Sequence, residues 1–543
     1  MNRATIRDIS ALIIIGLVML IIVNPIGNFP LNDDWMYSRV VAYMVNKHYY
    51  FASDWYSPVL TAQVLWGTLF CLPFGFSFTA LRISVIVLGF AAVIVFYLLV
   101  NRFTSNRKLS LVCALLLLVN PLFFPLANSF MTDVPFLAFA IFAIFFFSKA
   151  FDSPKLKYIL PAIAFSVIAT LIRQFGVVIP LAFGLTQLMK SNRSIFSRLK
   201  YLLPAIVAVI ALEFTIKWLK HIGSEMHPYQ DTPISEFLSK PNLLASQIFE
   251  RSSFLLYYCG LFLFPVLLFS GIKSFKGFSP GQKKGAGIFL LFFIPSLLFS
   301  WWRFPIGNML NSGAVGPRTL HDVAFLHIND VDNISSFART AFSVIGLIGA
   351  ILLLLTMVNL IIRIINPEEE NTVASSPSQR IFVVLCTLGY AFLMCVPDFF
   401  FDRYLMPIIP LVLLIVISQV ALGWQFKRLL FYFSLMYVFA LGYFSSAATH
   451  DYIQWNRSRW EALSYLTKEM KISPHKIDGG YEFNGWTIGT YFPPNKDKSW
   501  WFVDDDEYMI SFGEIPGYNI LKKYPYTNYF PHEERNIYIV HRK

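Results

Sequence analysis

Charge is what this chain has least of. Only 14% of its 543 residues are Asp, Glu, Lys or Arg, while 56% are hydrophobic and 55 are Phe. A water-soluble fold so apolar could not cover its surface, so the composition points to a polytopic membrane protein. Cysteine is also scarce. Cys71, Cys113, Cys259, Cys386 and Cys395 all lie in or beside apolar segments, with no metal-type spacing and none after His450, which excludes a disulfide framework. No Walker-type phosphate loop occurs, which excludes a nucleotide-driven motor. Nothing supports Ser/His/Asp nucleophilic catalysis. No repeat of fixed period and no transporter-like duplication of halves is visible.

What the chain does have is long apolar runs. Thirteen spans are read near residues 9–28, 80–100, 110–126, 133–150, 158–172, 175–190, 201–218, 254–272, 286–302, 337–362, 381–397, 404–421 and 428–447. The first is long enough for a hydrocarbon core of roughly 30 Å and reads as a retained helix, not a cleaved signal. The connections that alternate to the N-terminal side, including the polar linker 366–379, hold 20 Lys+Arg against 5 Asp+Glu. The opposite side carries no such excess. This positive-inside pattern puts the N-terminus in the cytoplasm and the tail outside. It also accounts for the net charge of +12 without nucleic acid.

Two units follow: residues 1–447 in the membrane, and 448–543 as a small extracytoplasmic α/β domain. The tail is charge-balanced, with 12 Lys+Arg and 13 Asp+Glu, and holds Trp455, Trp460, Trp486, Trp500 and Trp501. Ser458 to Met470 reads as helix; Trp500 to Val503 and Ile537 to Val540 read as strands. Its tryptophans suit a small core better than sugar stacking. In the first outer loop, Trp55 to Gly75 has helical spacing and reads as a helix lying along the interface.

The boundary charges fall on one side. Asp33, Asp34, Arg82, Asp133, Arg173, Arg303, Arg339, Asp398, Asp402 and Arg403 all lie at outer ends of spans or in outer loops. Carboxylates and guanidiniums together at one membrane face suit chemistry on a lipid-borne anion, whereas a transport path places charges near mid-membrane. Plainer roles exist for each. Asp33 and Asp34 could simply face water, and Asp133 could cap a helix whose Pro135 falls in the first turn. Arg403 could anchor at the interface beside Asp402, and Arg82 and Arg173 could be structural ion pairs. Tyr37, three residues after Asp34, could face the same cavity or simply pack. His321, Asp322 and His327 share an outer loop without a tight metal motif.

Taken in order, these segments resemble the polyprenyl-phosphate-dependent C-type (GT-C) glycosyltransferases, the relatives of protein O-mannosyltransferases and lipid A aminoarabinose transferases. Asn32-Asp33-Asp34-Trp35-Met36-Tyr37 resembles their first acidic motif. Asn128-Ser129-Phe130-Met131-Thr132-Asp133-Val134-Pro135 resembles the second acidic loop. Phe401-Asp402-Arg403-Tyr404-Leu405-Met406-Pro407 resembles the Arg-Tyr-x-x-Pro start of a late span, and Gly75-Phe76-Ser77 with Ala80-Leu81-Arg82 the join to span two. Some aminoarabinose-transferase relatives have Lys before the Pro of the interfacial helix; here it is Ser57-Pro58.

The resemblance implies an all-α GT-C membrane fold with about thirteen spans and a small exported α/β domain. It implies transfer of a sugar from a polyprenyl-phosphate carrier, with inversion, to a lipid, glycan or protein acceptor at the outer face of a bacterial inner membrane. Asp33 would be the general base and Asp34 would position it. Arg403 is the first candidate for the donor phosphate, with Arg82 and Arg173 behind it. Asp133, Tyr404 and Tyr37 would complete the substrate contacts. No cofactor is required, although paired carboxylates also suit Mg²⁺ or Mn²⁺. The alternatives are a flippase for a lipid-linked sugar and a non-catalytic scaffold.

Overall fold

The first helix, Arg3–Val23, buries Thr5, Asp8, Leu12, Gly16, Met19 and Val23 and leaves Ile14, Leu17, Val18 and Ile21 exposed. One stripe at helical period packs on protein and the rest is apolar, the pattern of a helix at the lipid-facing rim. The computed structural model describes residues 3–51, 60–189, 194–224, 239–300, 336–365, 374–396, 400–419, 427–488, 503–530 and 532–543. They are mostly helical, with one small four-stranded sheet at the C-terminal end.

Among the described residues, six helices are long and apolar enough to cross a membrane, or seven if a bent pair counts as one span. Leu156–Thr170, Gln174–Leu188 and Pro377–Leu393 are apolar but shorter, so length alone does not give the thirteen spans read from the sequence. The bent pair, Asn242–Phe262 and Phe264–Gly277, turns by 101°. Pro265, at the start of the second helix, lacks the N–H that a continuous helix would use. Ahead of the bend, a Cβ at Gly260 would lie 2.3 Å from the Gly346 carbonyl oxygen and 2.5 Å from the Ala350 amide. Only glycine lets these two backbones touch.

Helix Asp133–Asp152 is the most enclosed of the six, packing on Phe78–Thr104 and Leu156–Thr170. The interfacial helix covers Thr61–Cys71, shorter than the 55–75 expected, with 52–59 outside the described residues. Its Gln63 Nε2 donates to the Phe130 carbonyl at 2.7 Å, and the Ala62 amide donates to Leu171. It thereby ties the second acidic loop to the first.

Helix Arg428–Ser464 runs unbroken through 447/448, where the sequence suggested a domain boundary. The sheet that follows has the order β1-β2-β4-β3: β1 (Ile477–Asp478), β2 (Tyr508–Ser511), β3 (Tyr518–Tyr529) and β4 (His532–Arg542). β1 pairs with β2 in parallel; the other pairings are antiparallel. Of the two strands read from the sequence, Ile537 to Val540 lies in β4. The other, Trp500 to Val503, lies outside the described residues except for Val503, which is not in a strand. Trp455 is fully buried against Phe512, and Trp460 stacks on Phe29 of the loop after helix Arg3–Val23. These tryptophans are core.

Candidate active site

Asn32 turns the chain at φ +57°, a left-handed conformation that Asn tolerates better than most residues. The next residue, Asp33, stands at the N-cap of helix Asp34–Lys47 but makes no capping hydrogen bond. Its oxygens point elsewhere. Oδ2 accepts from Arg403 Nη2 at 3.1 Å, and Oδ1 accepts from the Tyr481 hydroxyl at 3.1 Å. Three segments far apart in the chain meet on one carboxylate.

Asp34 turns the other way. Its Oδ1 accepts from the Leu31 amide at 2.7 Å and its Oδ2 from the Phe130 amide at 3.1 Å, fastening the loop after helix Arg3–Val23 to the one before helix Asp133–Asp152. Burial pushes its carboxyl up to about 8, against the pull of Arg82 and the two amides. Asp33 and Asp34 thus share no partner.

A second ion pair stands beside the first. Arg173 Nη2 donates to Asp133 Oδ1 and to Thr132 Oγ1, both at 2.7 Å. Thr132 occupies the N-cap of helix Asp133–Asp152 without capping it, so the carboxylate of Asp133 serves Arg173 from the first helical turn. The ring of Tyr404 neighbours both guanidiniums, 5.7 Å from Arg173 and 5.8 Å from Arg403. Burial works against the charge on Arg403, but the carboxylates of Asp133 and then Asp33 more than offset it and hold the group charged. Tyr37 sits within reach of all four charges; burial, then Asp33, raises its hydroxyl.

Two atoms of this cluster have no hydrogen-bond partner. Asp133 Oδ2 and Arg403 Nε are buried and unbonded, an acceptor and a donor left over after the ion pairs are made. Tyr390, next to Arg173 and Asp133, also walls an apolar cavity of about 30 Å³ with Phe136, Phe175, Cys386, Pro407 and Leu411.

Other candidates go elsewhere. Arg82 donates to the carbonyls of Pro25, Gly27 and Phe29 and shapes the loop after helix Arg3–Val23. Asp402 accepts from Tyr258 at 2.9 Å, so Arg403 pairs with Asp33 and not with its neighbour. Ser57, Pro58, Arg303, His321, Asp322, His327 and Asp398 lie outside the described residues. Among the described residues, no three His, Cys, Asp or Glu side chains gather as a metal site. The sequence does spell Gly-x-Ser-x-Gly once, at Gly277-Phe278-Ser279-Pro280-Gly281. Ser279 sits between two helices and exchanges hydrogen bonds with Gln282, with no strand leading into an elbow.

Sequence reasoning missed the C-terminal side of the site. Tyr481 and Glu482 open helix Tyr481–Thr487; Glu482 accepts from the Asn32 amide at 2.9 Å and from Arg459 at 2.8 Å. The Arg459–Glu482 pair is fully buried. No spacing rule links positions some 450 residues apart.

Residues 58–218 match the family of dolichyl-phosphate-mannose-protein mannosyltransferases. The matched segment, under a third of the chain, is similar to that family, in line with the resemblance read from the sequence. It contains Arg82, Asp133 and Arg173; Asp33, Arg403 and Tyr481 lie outside it. Among solved structures, the chain is similar to ArnT from Cupriavidus metallidurans bound to undecaprenyl phosphate, at 11% identity and a TM-score of 0.49, over 98% of this chain and 97% of that one. The apo state of the same protein gives 11% identity and a TM-score of 0.40, over 99% and 98%. No curated protein matches the chain.

Proposed function

We propose that the chain is a GT-C glycosyltransferase that takes a sugar from a polyprenyl-phosphate carrier and delivers it to a hydroxyl of a lipid, glycan or protein at the outer face of a bacterial inner membrane. The observation that carries this reading is the two part-buried ion pairs, Asp33–Arg403 and Asp133–Arg173, with Asp133 Oδ2 and Arg403 Nε buried and still unbonded. A site that buries both signs of charge and leaves one acceptor and one donor open is prepared for a ligand bearing hydroxyls and an anion.

The acceptor oxygen bonds to the anomeric carbon while the bond from that carbon to the phosphate oxygen breaks. The acceptor's proton passes to Asp33, and the electron pair leaves with the lipid phosphate. Displacement in one step inverts the anomeric centre and needs no covalent sugar–enzyme intermediate. Arg403 suits the leaving phosphate because a guanidinium keeps its charge and offers several donors in a fixed fork. Asp133 would take sugar hydroxyls through its open oxygen.

The test is sugar transfer by the purified full chain, from a panel of polyprenyl-phosphate sugars to an envelope extract, comparing wild type with Asp33→Asn. General-base loss is expected to lower kcat by about 10²–10⁴ with the melting transition retained. Transfer surviving in Asp33→Asn would remove Asp33 from the mechanism. No transfer by wild type, with sugar-lipid crossing reconstituted vesicles, would make the protein a flippase.

A further inference from the structure

The Asp33 carboxylate is held from two sides, and one of them belongs to the exported domain. Tyr481 opens helix Tyr481–Thr487 and is buried, with its ring edge-on to Trp35 at 5.8 Å. Its hydroxyl donates to Asp33 Oδ1 at 3.1 Å. That helix is rigidly seated. Glu482 accepts from the Asn32 amide, and the Asn32 side chain accepts from the Asp33 amide at 2.9 Å. Arg459 grips Glu482 at 2.8 Å and the Gly479 carbonyl at 2.8 Å. Gly480, at φ +89°, leaves room for that guanidinium, since a Cβ there would come within 2.8 Å of Arg459 Nη2. On the far side Arg39 donates to the carbonyls of Gly485 and Trp486, and Trp486 stacks on Phe76.

So much scaffolding around one hydroxyl is more than a domain contact needs. From this geometry we infer that Tyr481 is a positioning residue for Asp33, so that the exported domain completes the active site. The inference rests on the general-base reading of Asp33. Arg403 alone could swing the carboxylate into a closed ion pair; Tyr481, pulling on the other oxygen, fixes its plane. Each oxygen then keeps a second lone pair, so one remains for the acceptor hydroxyl.

The titratable and charged groups facing Asp33 are Arg403 from the start of the late span, Tyr37 from its own helix and Tyr481 from the exported helix. Asp133 and Arg173 stand next to them. Of these donors only Tyr481 comes from the tail. Replacing it by Phe preserves the ring on Trp35 and removes the hydroxyl alone.

The experiment is steady-state transfer by the purified full chain carrying Tyr481→Phe, with polyprenyl-phosphate sugar as donor, across pH and beside Asp33→Asn. A second variant replaces Tyr481 by a ring-fluorinated tyrosine, which keeps the hydroxyl and strengthens it as a donor. Tyr481→Phe is expected to lower kcat about ten-fold, the worth of one hydrogen bond to a charged group. KM for the lipid donor should stay within about two-fold, because Tyr481 touches the base and not the phosphate ligand. The acid limb of the kcat profile should move to higher pH in Tyr481→Phe and to lower pH with the fluorinated ring. A merely structural tyrosine would move neither limb. Tyr481→Phe with wild-type kcat and an unmoved limb, while Asp33→Asn is inactive, overturns this inference and leaves the base in place. An active Asp33→Asn overturns both.

Discussion

Asp34→Asn sets two opposing effects against each other, and their sizes decide the outcome. The carboxylate of Asp34 accepts from two buried amides, Leu31 and Phe130. Asn offers one acceptor oxygen, so one amide loses its partner, a cost of about 1–3 kcal/mol. Burial, however, raises the Asp34 carboxyl from its ordinary 3.8 to about 8. Over that interval the unfolded chain has released a proton that the folded protein retains. Stability therefore falls as pH rises, by roughly 1 kcal/mol per pH unit, until the folded carboxyl also ionises. Asn does not titrate and escapes this loss. The expected result is a crossing: Asp34→Asn melts below wild type near pH 5 and above it at pH 8. The assay is thermal melting of the detergent-solubilised chain at several pH values, with transfer rates at a temperature where both are folded. A variant that melts lower by the same margin at every pH would refute the reasoning, since the amides and Arg82 would then be keeping the carboxylate ionised throughout. Turnover should stay within about ten-fold, because Asp34 shares no partner with Asp33. A hundred-fold loss would move the base to Asp34.

Arg403→Lys should lower kcat/KM about 10- to 100-fold in steady-state kinetics with the lipid donor, because one ammonium cannot hold Asp33 and serve a phosphate at once; wild-type kinetics would refute the phosphate role. Glu482→Gln leaves the Arg459 charge buried without its partner and should cost about 3–5 kcal/mol in denaturation, while Arg459→Met with Glu482→Leu together should cost less. Equal costs for the single and double replacements would show that the pair is not coupled.

Several parts of this protein were legible from residues alone because they depend on local composition. Apolar runs, the one-sided excess of Lys and Arg, and the change in character after His450 need no partner to be read. The acidic motifs could be found because turn and helix-start chemistry concentrates them at span ends. Helix lengths were less legible, since bends such as that before Pro265 and close backbone contacts such as Gly260 with Gly346 depend on a neighbouring helix.

The sequence by itself determined that Asp33, Asp34, Asp133, Arg173 and Arg403 stand at or near the ends of apolar runs. Only the tertiary structure decided what each of them touches. Adjacent residues at a helix start point in different directions, so Asp33 faces Arg403 and Tyr481 while Asp34 turns into the amides of Leu31 and Phe130. The approach of Tyr481 to Asp33 depends on a helix seated by a buried Arg459–Glu482 pair, and no local pattern carries that information across more than four hundred residues.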